Sequence, residues 1–108
     1  MALSTNTQSN SNGVSNRAVG KVVSDAAAAA ATTFTLGFAP RYVRFVNATD
    51  RISDEWFEGM ASASSIHTVA LGTVTLEPVN GIAVSGNTFT LTATTMVASK
   101  SFYWIAEG

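Results

Sequence analysis

The chain has no cysteine among its 108 residues. That excludes a disulfide scaffold, thiolate nucleophiles and thiolate-held metals. Histidine occurs once, as His67, so a zinc site would lack a second good nitrogen ligand. Charge is scarce: Asp, Glu, Lys and Arg make up 12% of the residues, about half the usual share of a globular domain. The net charge is −1, and no polar run clusters lysine or arginine. The sequence therefore offers no electrostatic footprint for nucleic acid or for an anionic lipid surface. No apolar run reaches the roughly 18 residues of a membrane span, and no basic-then-apolar leader opens the chain. A soluble protein without a secretion signal of its own is expected. No glycine-rich phosphate loop is present, so nucleotide chemistry has no support.

What remains is apolar and small. Hydrophobic residues make up 46% of a chain long enough for one domain, which on folding buries roughly two-thirds of its unfolded surface. Low charge with this apolar content has two readings. One is a small β domain whose surface is serine and threonine. The other is a surface largely covered by protein partners, because interface cores are depleted in charge.

The first segment, Met1 to Asn16, is almost entirely Ser, Thr, Asn and Gln and holds no aromatic residue. It cannot bury enough apolar area to offset its ordering entropy. An N-terminal arm over 1–16 is expected, followed by a single domain over 17–108. The arm is either a terminus without a role or an extended segment that lies on a partner. Arg17 to Ser24 reads as a first strand. Asp25 precedes six alanines, Ala26 to Ala31, a run that predicts one or two helical turns or a tightly packed loop.

Seven of the thirteen Asp, Glu, Lys and Arg residues lie between Arg41 and Glu58. Thr32 to Leu36 alternates in β-forming residues, and Gly37-Phe38-Ala39-Pro40 is a turn. Arg41 to Asn47 and Ile52 to Glu58 read as the two strands of a hairpin connected by Ala48 to Arg51. One register satisfies all of its strong pairings. Arg41 faces Glu58, Arg44 faces Glu55, Val43 faces Trp56, and Tyr42 faces Phe57. Each such pair contributes roughly 0.2–1 kcal/mol, and a slip of one residue loses all four.

The second half is a series of short strands between turn signals. Ser65 to Ala70 and Thr73 to Glu77 flank Leu71-Gly72. Asn80-Gly81 is the strongest short hairpin dipeptide. Gly86-Asn87 predicts a two-residue turn that sets Val84 against Phe89 and Ile82 against Leu91. Pro78 suggests a strand edge or start. Ser101 to Ala106 is a nearly continuous apolar run, as in a strand covered on both faces. Within it Phe102 and Trp104 share one face and Tyr103 takes the other. Short strands, repeated turns and no long helical period predict an all-β fold, a small antiparallel β-sandwich or partly open barrel with an extended N-terminal arm.

Candidates for chemistry are few. Asp50, Asp54, Glu55 and Glu58 form an acidic cluster, but two already have arginine partners and the spacing lacks the Gly and alternating Asp of a calcium loop. Paired, solvated carboxylates are the reading. His67 lies in a strand near Ile66 and Val69, and no serine sits in a Gly-x-Ser-x-Gly elbow. A packed or surface histidine is expected. Asn47-Ala48-Thr49 matches a glycosylation acceptor. Trp56, Phe57, Tyr103 and Trp104 read as core, with one aromatic face left for a second core layer or an interface. No catalytic, cofactor-binding or metal-binding residue is assigned, and no cofactor is expected.

An ordered set of short motifs carries a resemblance. Gly37-Phe38-Ala39-Pro40-Arg41-Tyr42-Val43 is followed by Val46-Asn47 and then by Glu55-Trp56-Phe57-Glu58-Gly59-Met60. Thr68-Val69-Ala70, Asn80-Gly81-Ile82 and the closing Tyr103-Trp104-Ile105-Ala106-Glu107 complete it. Over roughly residues 20 to 108 the chain resembles small virion structural proteins of tailed bacteriophages, in particular capsid decoration, or cement, proteins. The resemblance implies binding without catalysis. It implies a homo-oligomer, with a trimer favoured, on the outer capsid surface of a virion. Its partner would be the major capsid protein, with no nucleic acid or membrane involved and synthesis in the host cytoplasm. Many weak contacts repeated over a symmetric shell then give large avidity. The expected contact residues are Ser4, Thr5, Asn6, Thr7 and Gln8 of the arm, with Trp56 and Tyr103. The runner-up is a receptor- or glycan-binding module of a head fibre or tail.

Overall fold

The computed structural model describes residues 16–25 and 30–108. Its elements are β1 (Arg17–Val23), β2 (Thr32–Thr35), β3 (Tyr42–Asn47), β4 (Ile52–Phe57), β5 (Ser64–Thr68), β6 (Val74–Ser85), β7 (Thr88–Leu91) and β8 (Ser101–Glu107). They form one antiparallel sheet in the order β1-β8-β3-β4-β5-β6-β7-β2. The expected arm (apart from Asn16), its contact residues Ser4, Thr5, Asn6, Thr7 and Gln8, and most of the expected alanine segment lie outside the described residues. Ala30 and Ala31 belong to neither helix nor strand.

Of the two architectures expected, the chain forms the open barrel. Its sheet curls through about half a barrel, and the aromatic contacts show how far. Phe34 sits on β2, the last strand of the order, yet its ring lies 5.7 Å from Trp104 on β8 and 5.9 Å from Phe45 on β3. Phe34 also stacks on Phe89 at 4.9 Å. Such ring pairs contribute about 0.5–1.5 kcal/mol beyond their buried area. The concave face holds the core: Val43, Phe45, Trp56, Ile82, Phe89, Leu91, Phe102 and Ala106 from the strands, with Leu36 and Met96 from connections. Trp104 lies flat over β1 at Gly20, where any Cβ would overlap the indole. The segment between β7 and β8 is held across the concavity. Thr92 and Thr95 hydroxyls each donate to the Asn80 carbonyl at 3.2 Å, and Ser24 Oγ donates to the Val97 carbonyl at 2.7 Å.

The β3–β4 register is the one that the charges dictate: Tyr42 opposite Phe57, Val43 opposite Trp56, Arg44 opposite Glu55. Arg41 Nε lies 3.8 Å from Glu58 Oε1 just beyond the strand ends. Arg44 and Glu55 are neighbours in the ladder, but Glu55 accepts the Tyr42 hydroxyl at 2.9 Å instead of closing an ion pair with Arg44. The Gly86-Asn87 turn also sets the predicted pairs, Val84 with Phe89 and Ile82 with Leu91, with Gly86 at φ 56°.

Two expectations are corrected. Asn80-Gly81 is no hairpin turn but lies within β6, as does Pro78, which follows the stretch of β6 whose outer edge is open. Glu77 pairs with Ser65, yet the next residue back on β5, Ser64, pairs with Ile82, so Pro78 to Gly81 bulge out of the ladder. The bulge is locally satisfied. Pro78 has no N–H to lose. Glu77 Oε2 accepts the amides of Val79 and Asn80 at 3.1 and 3.3 Å. Gly81 passes so close to β5 that a Cβ would stand 2.5 Å from the Ser64 carbonyl carbon. The Asn-Gly pair thus serves a bulge, because the hydrophobic alternation resumes only at Ile82. The second correction concerns β8: it is covered on one face, with Phe102 and Ala106 buried and Tyr103 exposed on the other.

Candidate functional site

Two regions have the composition of a site, one on each face of the sheet. On the concave face, β4 presents Asp54 and β5 presents His67 directly opposite, with Ser65 two residues earlier on the same face. The Ser65 hydroxyl donates to Asp54 Oδ1 at 2.8 Å, and His67 Nδ1 lies 2.9 Å from the same oxygen. Asp54 and Ser65 are buried, while the His67 side chain is 31% exposed. The group borders a cavity of about 110 Å³ that is floored by Phe45, Ile52 and Val97 and rimmed by Asn47, Asp50 and Thr95. Asp50 is itself held, by Lys100 Nζ at 3.1 Å and by Asn47 Nδ2 at 3.0 Å.

The order of these contacts decides what the group can do. In a nucleophilic triad the serine donates to the imidazole and the carboxylate orients the imidazole from its far side. Here serine and imidazole both bind one carboxylate oxygen, so His67 is not placed to take the Ser65 proton. Among the described residues no three His, Asp or Glu side chains gather to hold a metal. The cluster instead satisfies a buried carboxylate where β4 meets β5, and it pins the register between them. Sequence reasoning treated Asp54 as a solvated member of an acidic cluster. The signal for its real place was the alternation in β4, which puts Asp54 on the same face as Trp56.

On the convex face the ladder aligns side chains into rows. One row runs Val19, Ile105, Arg44, Glu55, Ile66, Leu76; a second runs Lys21, Tyr103, Val46, Ser53, Thr68, Val74. At the β1–β8 end, Val19 is 69% exposed, Val23 65% and Tyr103 47%, and Phe57 on β4 is also exposed. The Lys21 ammonium lies 5.7 Å above the Tyr103 ring. A shallow groove of about 210 Å³ runs between Arg44, Val46, Tyr103 and Ile105. Tyr42 lies at the rim of this face, its ring 5.0 Å from Phe57. Burial, then the hydrogen bond to Glu55 and that carboxylate's charge, push the Tyr42 phenol up to about 12.

The expected contact residues separate here. Tyr103 is on the convex face. Trp56 is 7% exposed, with its indole among the core residues and Nε1 donating to the Ala61 carbonyl at 3.4 Å. It fills its place opposite Val43 and presents no contact surface. Trp104 also faces inward, edge-on to Phe89 at 5.3 Å, so neither tryptophan offers a stacking platform to a sugar. No known protein family matches the chain, and no curated protein or solved structure is similar to it.

Proposed function

We propose that this chain is a non-enzymatic bacteriophage virion protein of the capsid decoration type. It binds the outer surface of the head, as an oligomer with three copies favoured, and braces neighbouring major capsid subunits. The observation that carries this reading is the convex β1–β8 surface. Three apolar side chains, Val19, Val23 and Tyr103, stand in water there, with Phe57 exposed on β4 of the same face, and uncovered apolar surface of this kind supports an interaction site. The interior cluster supports the same reading from the other side, since its hydrogen bonds are spent on holding Asp54. In this reading the arm, residues 1–16, adds contacts beside the root of β1.

The test uses heads stripped of the protein and full-length chain added back. Saturation on the order of hundreds of copies per head is expected of a ligand repeated over the shell, and Val19→Lys with Tyr103→Ala lowers that occupancy. Removal of residues 1–16 weakens attachment while the domain stays folded by circular dichroism. Saturation at a few copies or a dozen would assign the protein to a vertex or tail and overturn the decoration reading.

A further inference from the structure

The β5–β6 hairpin differs in kind from the convex β1–β8 surface. Between Glu58 and Lys100 the sequence has a single charged residue, Glu77, and its carboxylate turns back onto the amides of Val79 and Asn80. The hairpin ends in a turn closed by the Gly72 amide donating to the Val69 carbonyl at 2.8 Å. Leu71 stands on that turn almost wholly in water. Beyond it Val74, Leu76 and Val79 are each 60% exposed or more. Among the described residues the first half of β6 also has an open edge. Val74 to Glu77 pair with β5 on one side, while β7 pairs with β6 only from Ile82 to Ser85. Edges of this kind are normally blunted by charge, by proline or by a cover. Here Glu77 and Pro78 end the open stretch, and Thr73 to Leu76 before them reads Thr-Val-Thr-Leu without a charge.

We infer that the outer face and open edge of Val74–Val79, with Leu71 at the tip, form the interface between copies of this chain. The charge pattern selects this occupant. Identical copies bring identical charges together, so an interface between them is least opposed where there are none to repel. The ends of the rows on β1, β3 and β4, through Lys21, Arg44 and Glu55, fail that condition, whereas the Val74–Val79 end carries one charge, Glu77, whose carboxylate is taken up by the amides of Val79 and Asn80. The area agrees. The four aliphatic side chains leave on the order of 300 Å² of apolar surface in water. In an interface of ordinary composition this corresponds to about 500 Å² per copy, or about 1,000 Å² in all, the size at which specific association begins. A patch that meets its own copy is a two-fold contact, so the interface narrows the oligomeric part of the proposed function to an even number of copies in place of three, and it leaves the β1–β8 face free for the capsid.

The experiment is the mass of the full-length protein in solution, by light scattering behind size exclusion at about 100 µM. An even multiple of the chain mass is expected. Leu71→Glu and Leu76→Lys, made separately, are each expected to reduce it to a single chain with an unchanged far-ultraviolet circular dichroism spectrum. Val19→Lys, on the other patch, should leave the multiple intact. A wild-type monomer, or an oligomer that survives both hairpin substitutions, overturns the inference. Head binding is read separately. A monomer that still coats heads defeats only this interface, and an oligomer broken at the hairpin that never binds heads defeats only the decoration reading.

Discussion

The β3–β4 hairpin and the β5–β6 hairpin lie side by side in one sheet and are built on opposite principles. In the first, charged and aromatic residues alternate so that a single register sets Arg44 opposite Glu55 and Tyr42 opposite Phe57, and the ladder is unbroken from Tyr42–Phe57 to Asn47–Ile52. In the second, a four-residue bulge breaks the ladder between Ser64 and Ser65, where Gly81 closely approaches the Ser64–Ser65 peptide, while Asp54 and Ser65 fix β5 against β4. One hairpin encodes its pairing on its surface. The other is shaped by a buried close approach of backbones at Gly81, which leaves its outer face free to be apolar.

The sharpest way to break this contrast is at the bulge. Gly81→Ala places a methyl against the Ser64–Ser65 peptide and is expected to destabilise the fold by about 3 kcal/mol, measured by urea unfolding. Asp54→Ala leaves the Ser65 hydroxyl buried without its acceptor and releases His67; a loss of about 2 kcal/mol is expected, again from unfolding midpoints. Tyr42 gives a spectroscopic handle on the other hairpin. Absorbance titration should show a phenol that ionises near pH 12, and Tyr42→Phe should abolish that step. The neutral phenol is the form the fold favours. Its contribution is therefore complete below the ordinary tyrosine value near 10 and is lost as pH rises through about 12. Arg41→Ala removes a half-exposed pair with Glu58 and should cost less than about 1 kcal/mol. Leu76→Thr, on the exposed face, should shift the stability of the isolated chain by no more than about 0.5 kcal/mol. An effect as large as that at Asp54 would mean that this side chain supports the fold.

These residues also mark what the sequence reveals and what it hides. The β3–β4 register was legible because its determinants, Arg41, Tyr42, Val43, Arg44 and their partners, are adjacent in sequence and complementary in type. The Gly86 turn was legible for the same reason. The bulge was not, because it depends on how near β5 passes to Gly81, a property of the assembled sheet. The Ser65–Asp54–His67 group was hidden likewise. Asp54 and His67 are thirteen residues apart and meet through a β4–β5 register that no local pattern specifies. Trp56 shows the converse. Its type fits both core and contact, and the face it shares with Asp54 places it inside.

The closure of β1 has a mechanical meaning. Among the described residues its ladder joins it to β8 alone, from Arg17 opposite Glu107 to Val23 opposite Ser101, and the Gly108 amide donates to the Asn16 carbonyl at 2.9 Å. A load entering through the residues before Asn16 meets that ladder at its end, one cross-strand pair at a time. Antiparallel strands pulled from one end unzip in sequence, at forces set by a single pair. Pulled along their length they shear, and all pairs must fail together. A chain pulled by its first residues across the sheet would yield gradually at β1, from Arg17 toward Ser24, whose hydrogen bonds to Val97 and Lys100 form the stop at the far end.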